Sequence, residues 1–298
     1  MTKSGFVSII GQPNVGKSTL LNSLVHEKIA IISHKPETTR DSIKGILTKE
    51  NCQIVFIDTP GIHKPHDLLG KLMVNQASAS ILDGDVVLFL TEKKIALNKD
   101  DLQIIAKLPN PKNNQKIFLI INKVDKIKDK TLLLPLLAKA AEIYPFDEII
   151  PLCALNKNDV EKLTLILEKH MPENPFFYPE DYITDKDNRF MIQEIIREKI
   201  LGATHEEIPH STAVFIEEMS EDKEKNLIDI HAVIYVERLS QKSIVIGKYG
   251  LKLKEIGQLA RIDIEKLLSR RVYLNLWVKV YEKWKKDPRA LQEMGYTE

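Results

Sequence analysis

The stretch that decides the fold of this 298-residue chain is Gly11-Gln-Pro-Asn-Val-Gly-Lys-Ser18, which directly follows a short apolar run, Phe6–Ile10. It fits the phosphate-binding pattern G-x-x-x-x-G-K-[ST] and opens a predicted helix. Glycines let the backbone fold around an anion, so that successive N–H groups and the helix N-terminus face phosphate oxygens. The stretch therefore predicts a strand, a phosphate-binding loop and a helix, in that order.

Further apolar runs follow the loop at regular intervals, at Ile54–Ile57, Val86–Leu90, Ile117–Ile121 and Ile149–Leu152. Runs of this length, separated by amphipathic segments of helical length, are typical of a buried parallel sheet with right-handed crossovers. Ile43–Lys49 alternates more regularly and is predicted to be an added edge strand. We therefore expect residues 1–171 to form an α/β domain with a mostly parallel sheet.

A proline-rich stretch, Pro172–Pro179, follows the last apolar run. Because neither a helix nor a central strand accommodates three prolines in eight residues, residues 172–182 are predicted to be a linker. Residues 183–298 are then a second domain. Its predicted elements are a helix at Arg189–Leu201, strands at Thr212–Met219 and Leu227–Val236, a Gly-x-x-Gly segment, a helix at Leu251–Ser269 and a strand at Arg271–Tyr281.

The overall composition indicates a soluble globular protein, with 43% hydrophobic and 29% charged residues. No apolar run reaches the ~18 residues that a membrane span requires, and the first ten residues do not resemble a signal peptide. The two cysteines, Cys52 and Cys153, are far apart and have no ligand-like neighbours. These features predict a cytoplasmic chain without a disulfide framework or a zinc site.

Asp58-Thr-Pro-Gly61 follows the second apolar run and supplies the second phosphate motif. Lys17 is expected to reach the β- and γ-phosphates, the Ser18 hydroxyl to bind Mg²⁺, and Asp58 to meet that ion through water. The N–H of Gly61 is expected to meet the γ-phosphate. The predicted phosphate-binding residues are Gly11, Gln12, Pro13, Asn14, Val15, Gly16, Lys17, Ser18, Thr19, Asp58, Thr59, Pro60, Gly61 and Ile62.

Asn122-Lys-Val-Asp125, which follows Ile117–Ile121, predicts which base is bound. Guanine presents N1–H and the N2 amine as adjacent donors, and the Asp125 carboxylate can accept both hydrogen bonds. Adenine has no matching pair of donors, and it would leave a buried carboxylate unpaired, so we expect it to be rejected. Asn122, Lys123 and Asp125 are thus predicted to bind guanine.

These three motifs in this order resemble those of the translation-factor-like GTPases with a Ras-like fold. Over nearly the whole chain the more specific resemblance is to the bacterial Era family. The resemblance implies that Lys35-Pro-Glu-Thr-Thr-Arg40 is the first switch segment. Within it, Thr39 is the expected Mg²⁺ ligand and sensor of the γ-phosphate, and Thr38 is the alternative.

The resemblance also implies a third base-binding loop at Cys153-Ala-Leu155, where the family has Ser-Ala-Leu or Ser-Ala-Lys. The backbone N–H of Ala154 is expected to contact guanine O6, and this contact does not require a serine side chain at position 153. The first residue of the loop departs from the family pattern. A thiol at Cys153 is a weaker hydrogen-bonding partner for Asp125 than a hydroxyl is.

The position after Asp58-Thr-Pro-Gly61 is Ile62, where many Ras-like GTPases carry a glutamine that orients water. An aliphatic side chain cannot do so, and we therefore expect GTP hydrolysis to be slow. GTPases that resemble this chain and keep Asn14 can use that residue to hold a potassium ion over the phosphates. Simple capping of the loop is the alternative role for Asn14.

The second domain resembles a type II KH domain, an α+β fold, with Gly247-Lys-Tyr-Gly250 as its Gly-x-x-Gly loop. Such a loop clamps about four nucleotides of single-stranded nucleic acid. Tyr249 replaces the lysine or glycine that is usual in the loop and offers a ring on which a base could stack. The predicted RNA-binding residues are Gly247, Lys248, Tyr249, Gly250, Lys252, Lys254, Arg261, Arg270 and Arg271.

The net charge of +1 conceals a strong polarity within this domain. Residues 181–237 carry a net charge of −8, whereas residues 238–289, which include the Gly-x-x-Gly loop, carry +9. A basic block of this size is expected to bind along the phosphates of a nucleic-acid backbone. Strand alternation places Tyr273, Trp277 and Tyr281 on one face, and we expect that face to belong to the core.

The Era resemblance implies a monomeric, GTP- and GDP-binding switch that binds the 3′ end of 16S ribosomal RNA, acts in assembly of the 30S subunit and does not bind DNA. GTP would order residues 35–40 and 58–70, and hydrolysis would release the RNA. The alternative is a membrane-associated signalling GTPase whose basic block, residues 238–289, meets anionic lipid at the inner face of the cell membrane. Against it, there is no lipidation motif and the block has a folded βααβ pattern.

Overall fold

The computed structural model describes residues 1–35, 37–62, 65–92, 97–109, 115–129, 131, 133–222, 224 and 226–296. The chain divides into two compact units, which differ from the predicted domains at their boundary. The N-terminal unit consists of residues 1–65 and 70–185, and the C-terminal unit of residues 66–69 and 186–298. Among the described residues, no helix has both the length and the apolar character needed to cross a bilayer.

A six-stranded sheet with the order β2-β3-β1-β4-β5-β6 organises the N-terminal unit. All neighbouring strands are parallel except β2 and β3, so the predicted edge strand is confirmed as the antiparallel member. The strands are β1 (Lys3–Gly11), β2 (Ile43–Lys49), β3 (Cys52–Asp58), β4 (Val86–Glu92), β5 (Lys116–Asn122) and β6 (Glu148–Pro151).

Helices connect these strands and bury the apolar faces of the sheet. They are α1 (Lys17–Val25), α2 (Leu68–Asp83), α3 (Lys99–Ile105), α4 (Leu133–Ile143) and α5 (Lys157–His170). Apolar side chains of α2, α3 and α4 form one core cluster with β1, β4 and β5, while α1 packs against β1, β2, β3 and α5. The predicted α/β architecture is therefore confirmed, and all the strands that carry nucleotide motifs end at one edge of the sheet.

The predicted linker is fixed to the N-terminal unit by hydrogen bonds to the linker's backbone groups. The buried side chain of Gln53 accepts hydrogen bonds from the N–H groups of Phe177 and Tyr178, at 2.8 and 3.0 Å. Its amide nitrogen donates to the Tyr178 carbonyl at 2.9 Å. The Ile46 N–H donates to Ile183 at 2.8 Å, so the chain remains attached to strand β2 beyond residue 182.

The C-terminal unit contains a three-stranded sheet with the order β7-β8-β9, in which β8 and β9 are parallel. Its elements are α6 (Asn188–Ala203), β7 (Thr212–Asp222), β8 (Leu227–Val236), α7 (Leu239–Ile246), α8 (Leu251–Leu268), β9 (Arg271–Val280) and α9 (Pro288–Glu293). Helices α6, α7 and α8 pack on one face of the sheet around a core of isoleucine, valine and alanine. This order of elements confirms the predicted KH arrangement.

The prediction that Tyr273 and Trp277 belong to the core is wrong. Their side chains are 53% and 58% exposed, whereas Val272 and Val278 on the same strand are buried. The reason is that the helices cover the face to which the even-numbered residues of β9 point, and alternation puts Tyr273 and Trp277 on the opposite face. The buried aromatic side chain is instead Trp284, whose indole N–H donates to the Ser211 carbonyl.

Candidate functional site

The phosphate-binding loop connects the end of β1 at Gly11 to the start of α1 at Lys17. Gly11 and Gly16 have φ angles of +151° and +103°, which side-chain-bearing residues rarely adopt. A Cβ atom at Gly11 would lie 2.3 Å from the carbonyl oxygen of Leu90, and one at Gly16 would lie 2.3 Å from Nδ2 of Asn122. The two glycines are therefore required both by backbone conformation and by close packing.

Lys17 is held inside this loop by backbone carbonyls. Its ammonium group donates to the carbonyls of Gly11 and Gln12, at 3.2 and 3.0 Å. Burial lowers the pKa of Lys17 to about 8, and the nearby Asp58 carboxylate opposes this shift only in part. A buried ammonium group lacking full compensation is a favourable partner for phosphate oxygens.

Three oxygen-bearing side chains meet beside Lys17. The Ser18 hydroxyl donates to Oδ2 of Asp58 at 2.7 Å and lies 2.9 Å from the Thr39 hydroxyl. Among the described residues, the buried Oδ1 atom of Asp58 has no hydrogen-bond donor. Burial raises the pKa of Asp58 to about 6. An unpaired carboxylate oxygen beside two hydroxyls fits the oxygen ligands that Mg²⁺ prefers.

The two threonines of the first switch segment are oriented differently. Thr39 faces Ser18, whereas the Thr38 hydroxyl donates to the carbonyl of Lys35 at 2.6 Å. Thr39 is therefore the threonine that lies beside Ser18, the predicted Mg²⁺ ligand. Pro36, which follows Lys35 in this segment, lies outside the described residues.

The loop after β3 approaches the phosphate-binding loop through its backbone. The N–H of Ile62 donates to the Gly11 carbonyl at 3.2 Å, and a Cβ atom at Gly61 would lie 2.8 Å from Pro13. The Thr59 hydroxyl donates to the Ile9 carbonyl, and the Ile62 side chain is buried in the core cluster. The side chains of these two predicted phosphate-binding residues thus serve the fold. His63 and Lys64 lie outside the described residues.

Asn122 at the end of β5 joins the phosphate-binding loop to both base-binding loops. Its Nδ2 donates to the Val15 carbonyl at 2.9 Å, and its Oδ1 accepts from the N–H groups of Lys123 and Ala154 at 2.8 and 3.0 Å. The Ala154 N–H is the group predicted to contact guanine O6. In this structure that N–H already has an acceptor, so a bound guanine would have to share it or displace Asn122.

Lys123 lies across the rim of the base-binding region. Its backbone is left-handed, with φ +61°, and its ammonium group bonds to the Asn14 carbonyl at 2.6 Å and to Glu92 at 3.0 Å. Asp125 is exposed at this rim. Burial raises the pKa of the Cys153 thiol, and a hydrogen bond to Asp125 adds to the shift. The Asp125 carboxylate, which is predicted to select guanine, is therefore close enough to affect the pKa of Cys153.

Most of the predicted nucleotide-binding residues line a single cleft. They are Pro13, Asn14, Gly16, Lys17, Ser18, Thr19, Thr38, Thr39, Gly61, Asn122, Lys123, Asp125, Cys153, Ala154 and Leu155. The other predicted residues do not line the cleft, and they are Gly11, Gln12, Val15, Asp58, Thr59, Pro60 and Ile62.

A second set of residues, which was not predicted from the sequence, also lines this cleft, and they are Ile31, Ile32, Ser33, His34, Glu37 and Lys126. Five of these six precede the switch threonines in the loop after α1, so their position in the chain was the available signal. One contact explains their location. The side-chain amide of Asn14 donates to the His34 carbonyl at 2.8 Å and holds this loop over the phosphate-binding loop.

The Gly-x-x-Gly loop of the C-terminal unit lies between α7 and α8. Gly247 and Gly250 have φ angles of +72° and +75°, and a Cβ atom at Gly247 would lie 2.6 Å from that of Lys252. Tyr249 also has a positive φ and is 88% exposed, with the Lys248 ammonium group 5.4 Å from its ring centroid. The loop thus presents an aromatic ring and a cation to solvent.

A cleft starts at this loop and runs between α8 and β9. Its walls are formed by Gly250, Leu253, Lys254, Gly257, Gln258, Arg261, Tyr273, Leu274 and Leu276. Of the predicted RNA-binding residues, Gly250, Lys254 and Arg261 line it. Lys252 lines a separate depression beside α7, and Arg270 pairs with Glu221 of β7. The predicted residues therefore do not all converge on one surface.

Comparison with known protein families assigns both units. Residues 6–123 match the family described as "50S ribosome-binding GTPase". Residues 207–285 match the KH domain family.

Comparison with individual proteins extends this match to the whole chain. The chain is 49% identical over 298 residues to GTPase Era of Syntrophus aciditrophicus, covering 100% of this chain and 96% of that protein. It is 47% identical over 296 residues to GTPase Era of Clostridium kluyveri, covering 99% and 100%. A crystal structure of Era in complex with MgGDPNP and nucleotides 1506–1542 of 16S ribosomal RNA superposes with a TM-score of 0.96 at 40% identity, covering 100% of both chains.

Proposed function

This chain belongs to the Era family of GTPases, and we propose that it is a nucleotide-controlled switch that binds the 3′ end of 16S ribosomal RNA during assembly of the 30S subunit. GTP hydrolysis is the activity of the N-terminal unit. RNA binding is the activity we assign to the KH domain. The observation that carries the assignment is the cleft between α8 and β9, which starts at the Gly-x-x-Gly loop and contains Lys254 and Arg261.

In the nucleotide site we assign each polar group to a part of MgGTP. Lys17 neutralises the β- and γ-phosphates, because it is buried and its burial penalty falls when an anion arrives. Ser18 and Thr39 bind Mg²⁺ through their hydroxyls, and Asp58 binds it through water. The bound ion supplies charge neutralisation at the phosphates. Asp125 accepts the two guanine N–H donors.

Slow hydrolysis follows from the side chain after Gly61. Ile62 lies in the apolar core and cannot position water. A compensating role for Asn14 is supported by its position in the cleft wall and by its contact, through the His34 carbonyl, with the loop before the switch threonines. We assign the Asn14 side chain to a potassium ion that would neutralise charge developing on the phosphates.

The switch itself depends on the Thr39 contact. GTP-bound Mg²⁺ would hold Thr39 and, through it, the first switch segment, and loss of the γ-phosphate would release this contact. RNA would be bound in the GTP state and released after hydrolysis. Basic residues around the cleft would supply phosphate contacts, and Tyr249 would supply a stacking surface.

The decisive experiment is RNA crosslinking of the full chain loaded with a non-hydrolysable GTP analogue and Mg²⁺. The test protein carries Gly247→Asp and Gly250→Asp. Both positions have positive φ, and the new carboxylates would repel the RNA backbone. The matched control is Gly202→Asp at the end of α6, where an added Cβ meets open space.

We expect the double variant to lose the crosslinks and the Gly202→Asp control to keep them. Unchanged crosslinks in the double variant would disprove the assignment of the cleft. If the parent chain bound to anionic vesicles and gave no RNA crosslink, the lipid-binding alternative would be favoured instead.

A further inference from the structure

Two aromatic side chains lie exposed on the sheet face of the C-terminal unit that the helices leave uncovered. Tyr273 and Trp277 are 53% and 58% exposed, and both project from strand β9. Large aromatic side chains gain several times more from burial than small residues do, so leaving two of them in water on one strand is costly. Their exposure therefore indicates a surface that is covered by a binding partner.

This surface is continuous with the cleft between α8 and β9. Tyr273 forms part of the cleft wall, and Trp277 lies four residues farther along the same strand. β9 is the edge strand of its sheet, so a chain that leaves the cleft across this edge reaches the open face directly. At a rise of about 3.3 Å per residue, the two side chains are about 13 Å apart along the strand.

The residues around Tyr273 are polar, whereas Trp277 lies opposite Val233, which is buried on the neighbouring strand. Asn275 lies between the rings on the same face, opposite His231, whose ring is 6.5 Å from that of Tyr273. His231 in turn lies 3.0 Å from Asp229. Two rings separated by hydrogen-bonding groups suit bases that stack singly and offer their edges to side chains.

The charged groups on this face are grouped by strand. Lys279 of β9 pairs with Glu217 of β7 at 2.6 Å, and Arg271 of β9 is exposed at the other end of the strand. The cations therefore lie on the strand that carries the rings, and the carboxylates lie on β7 and β8. A polyanion that follows β9 would meet the exposed Arg271 directly and would compete with Glu217 for Lys279.

We propose that Tyr273 and Trp277 form a second RNA contact, a stacking platform for unpaired nucleotides adjacent to those held by the Gly-x-x-Gly cleft. This inference rests on the proposed RNA-binding function and extends it beyond the cleft. The separation of about 13 Å exceeds the ~3.4 Å between stacked bases, so each ring receives its own base. Trp277, which lies outside the cleft wall, is the residue that distinguishes the platform from the cleft.

Trp277 also provides its own spectroscopic probe. The chain contains two tryptophans, and the other, Trp284, is fully buried. A base that stacks on Trp277 is expected to quench its fluorescence, whereas Trp284 should not respond. The probes are an RNA corresponding to nucleotides 1506–1542 of 16S ribosomal RNA, which the Era relative binds, and an RNA of about four nucleotides, the length that a KH cleft holds.

The experiment compares the parent chain with Trp277→Ala and Trp277→Phe, all loaded with a non-hydrolysable GTP analogue. We expect Trp277→Ala to weaken binding of the long RNA by about 5- to 150-fold, which corresponds to the loss of one base–aromatic stack, and to leave the short RNA unaffected. Trp277→Phe should abolish the quenching while retaining most of the affinity. The control Leu239→Ala on α7 removes a side chain that is 74% exposed, against 58% for Trp277, and should change neither the quenching nor the RNA affinity.

Equal affinity of the parent and Trp277→Ala for the long RNA, or no quenching in the parent, would overturn the platform while leaving the cleft assignment intact. Equal weakening of both RNAs would also overturn it, because the effect would then act through the cleft or the fold. If Trp277→Ala lost binding to 30S particles but kept its RNA affinity, the surface would be a protein interface instead. Failure of the parent chain to bind either RNA would overturn both the platform and the proposed function.

Discussion

Replacing Asp125 with asparagine should transfer base preference from guanine to xanthine. The change leaves the fold intact, because Asp125 is exposed at the rim of the cleft. The loop around it is held by other groups, namely the three hydrogen bonds of Asn122 and the contact of Lys123 with Asn14. The substitution therefore changes only the hydrogen-bonding groups that face the base.

The magnitude follows from the hydrogen bonds that Asp125 would accept. A hydrogen bond to a charged group contributes about 1.5–3 kcal/mol, so the two guanine N–H donors account for about 3–6 kcal/mol. Asparagine keeps one acceptor oxygen and turns the other into a donor that faces a guanine N–H, so at least one of the two bonds is lost and GDP affinity should fall by at least about 10- to 150-fold. Xanthine carries a 2-oxo acceptor, which the amide nitrogen of Asp125→Asn can meet, and its nucleotide should bind more tightly to the variant than to the parent.

The assay is isothermal titration of the parent and the variant with GDP and XDP in the presence of Mg²⁺. The control is Asp129→Asn, which makes the same chemical change at an exposed carboxylate that bonds to Thr131 and lies outside the cleft wall. The control should bind GDP like the parent. If Asp125→Asn bound GDP as tightly as the parent, or gained no affinity for XDP, our account of base selection would be refuted.

Three further predictions test other parts of the site. Gly16→Ala should abolish nucleotide binding, because its Cβ would lie 2.3 Å from Asn122 Nδ2 at a φ of +103°; GDP titration checks this, and retained affinity would contradict the packing argument. Bound GDP should slow alkylation of Cys153 in the base-binding wall, measured above pH 8 because burial raises the pKa of its thiol; equal rates with and without GDP would count against the assignment. GTP hydrolysis should be faster in KCl than in NaCl, and Asn14→Ala should remove the difference; equal rates of the parent in both salts would exclude the potassium role.

The architecture of the N-terminal unit was predictable from local patterns. Apolar runs of strand length fixed the number of sheet strands, and the more alternating Ile43–Lys49 was identified as the edge strand that the structure shows. The phosphate loop was equally predictable, because its glycines satisfy a backbone requirement that is local to Gly11–Ser18. The roles of residues that depend on local backbone conformation or on hydrophobic periodicity can therefore be predicted from the sequence alone.

Details that depend on which face meets which neighbour were not predictable. Alternation showed that Tyr273 and Trp277 share a face, but only the packing of the helices decided that this face is exposed. The acceptor of the Ala154 N–H depended in the same way on Asn122, 32 residues earlier in the chain. The attachment of the predicted linker to the N-terminal unit depended on Gln53, which carries no sequence signal for this role.

The amino-acid sequence alone established the order of the motifs, the carboxylate predicted to select guanine and the polarity of charge in the second domain. The tertiary structure decided how those groups are used. It brought Ser18, Thr39 and Asp58 together, directed Thr38 elsewhere and buried Ile62 in the core. The physical reason is that motifs depend on residue type and local spacing, whereas burial and hydrogen-bond partners depend on side chains that are distant in the chain.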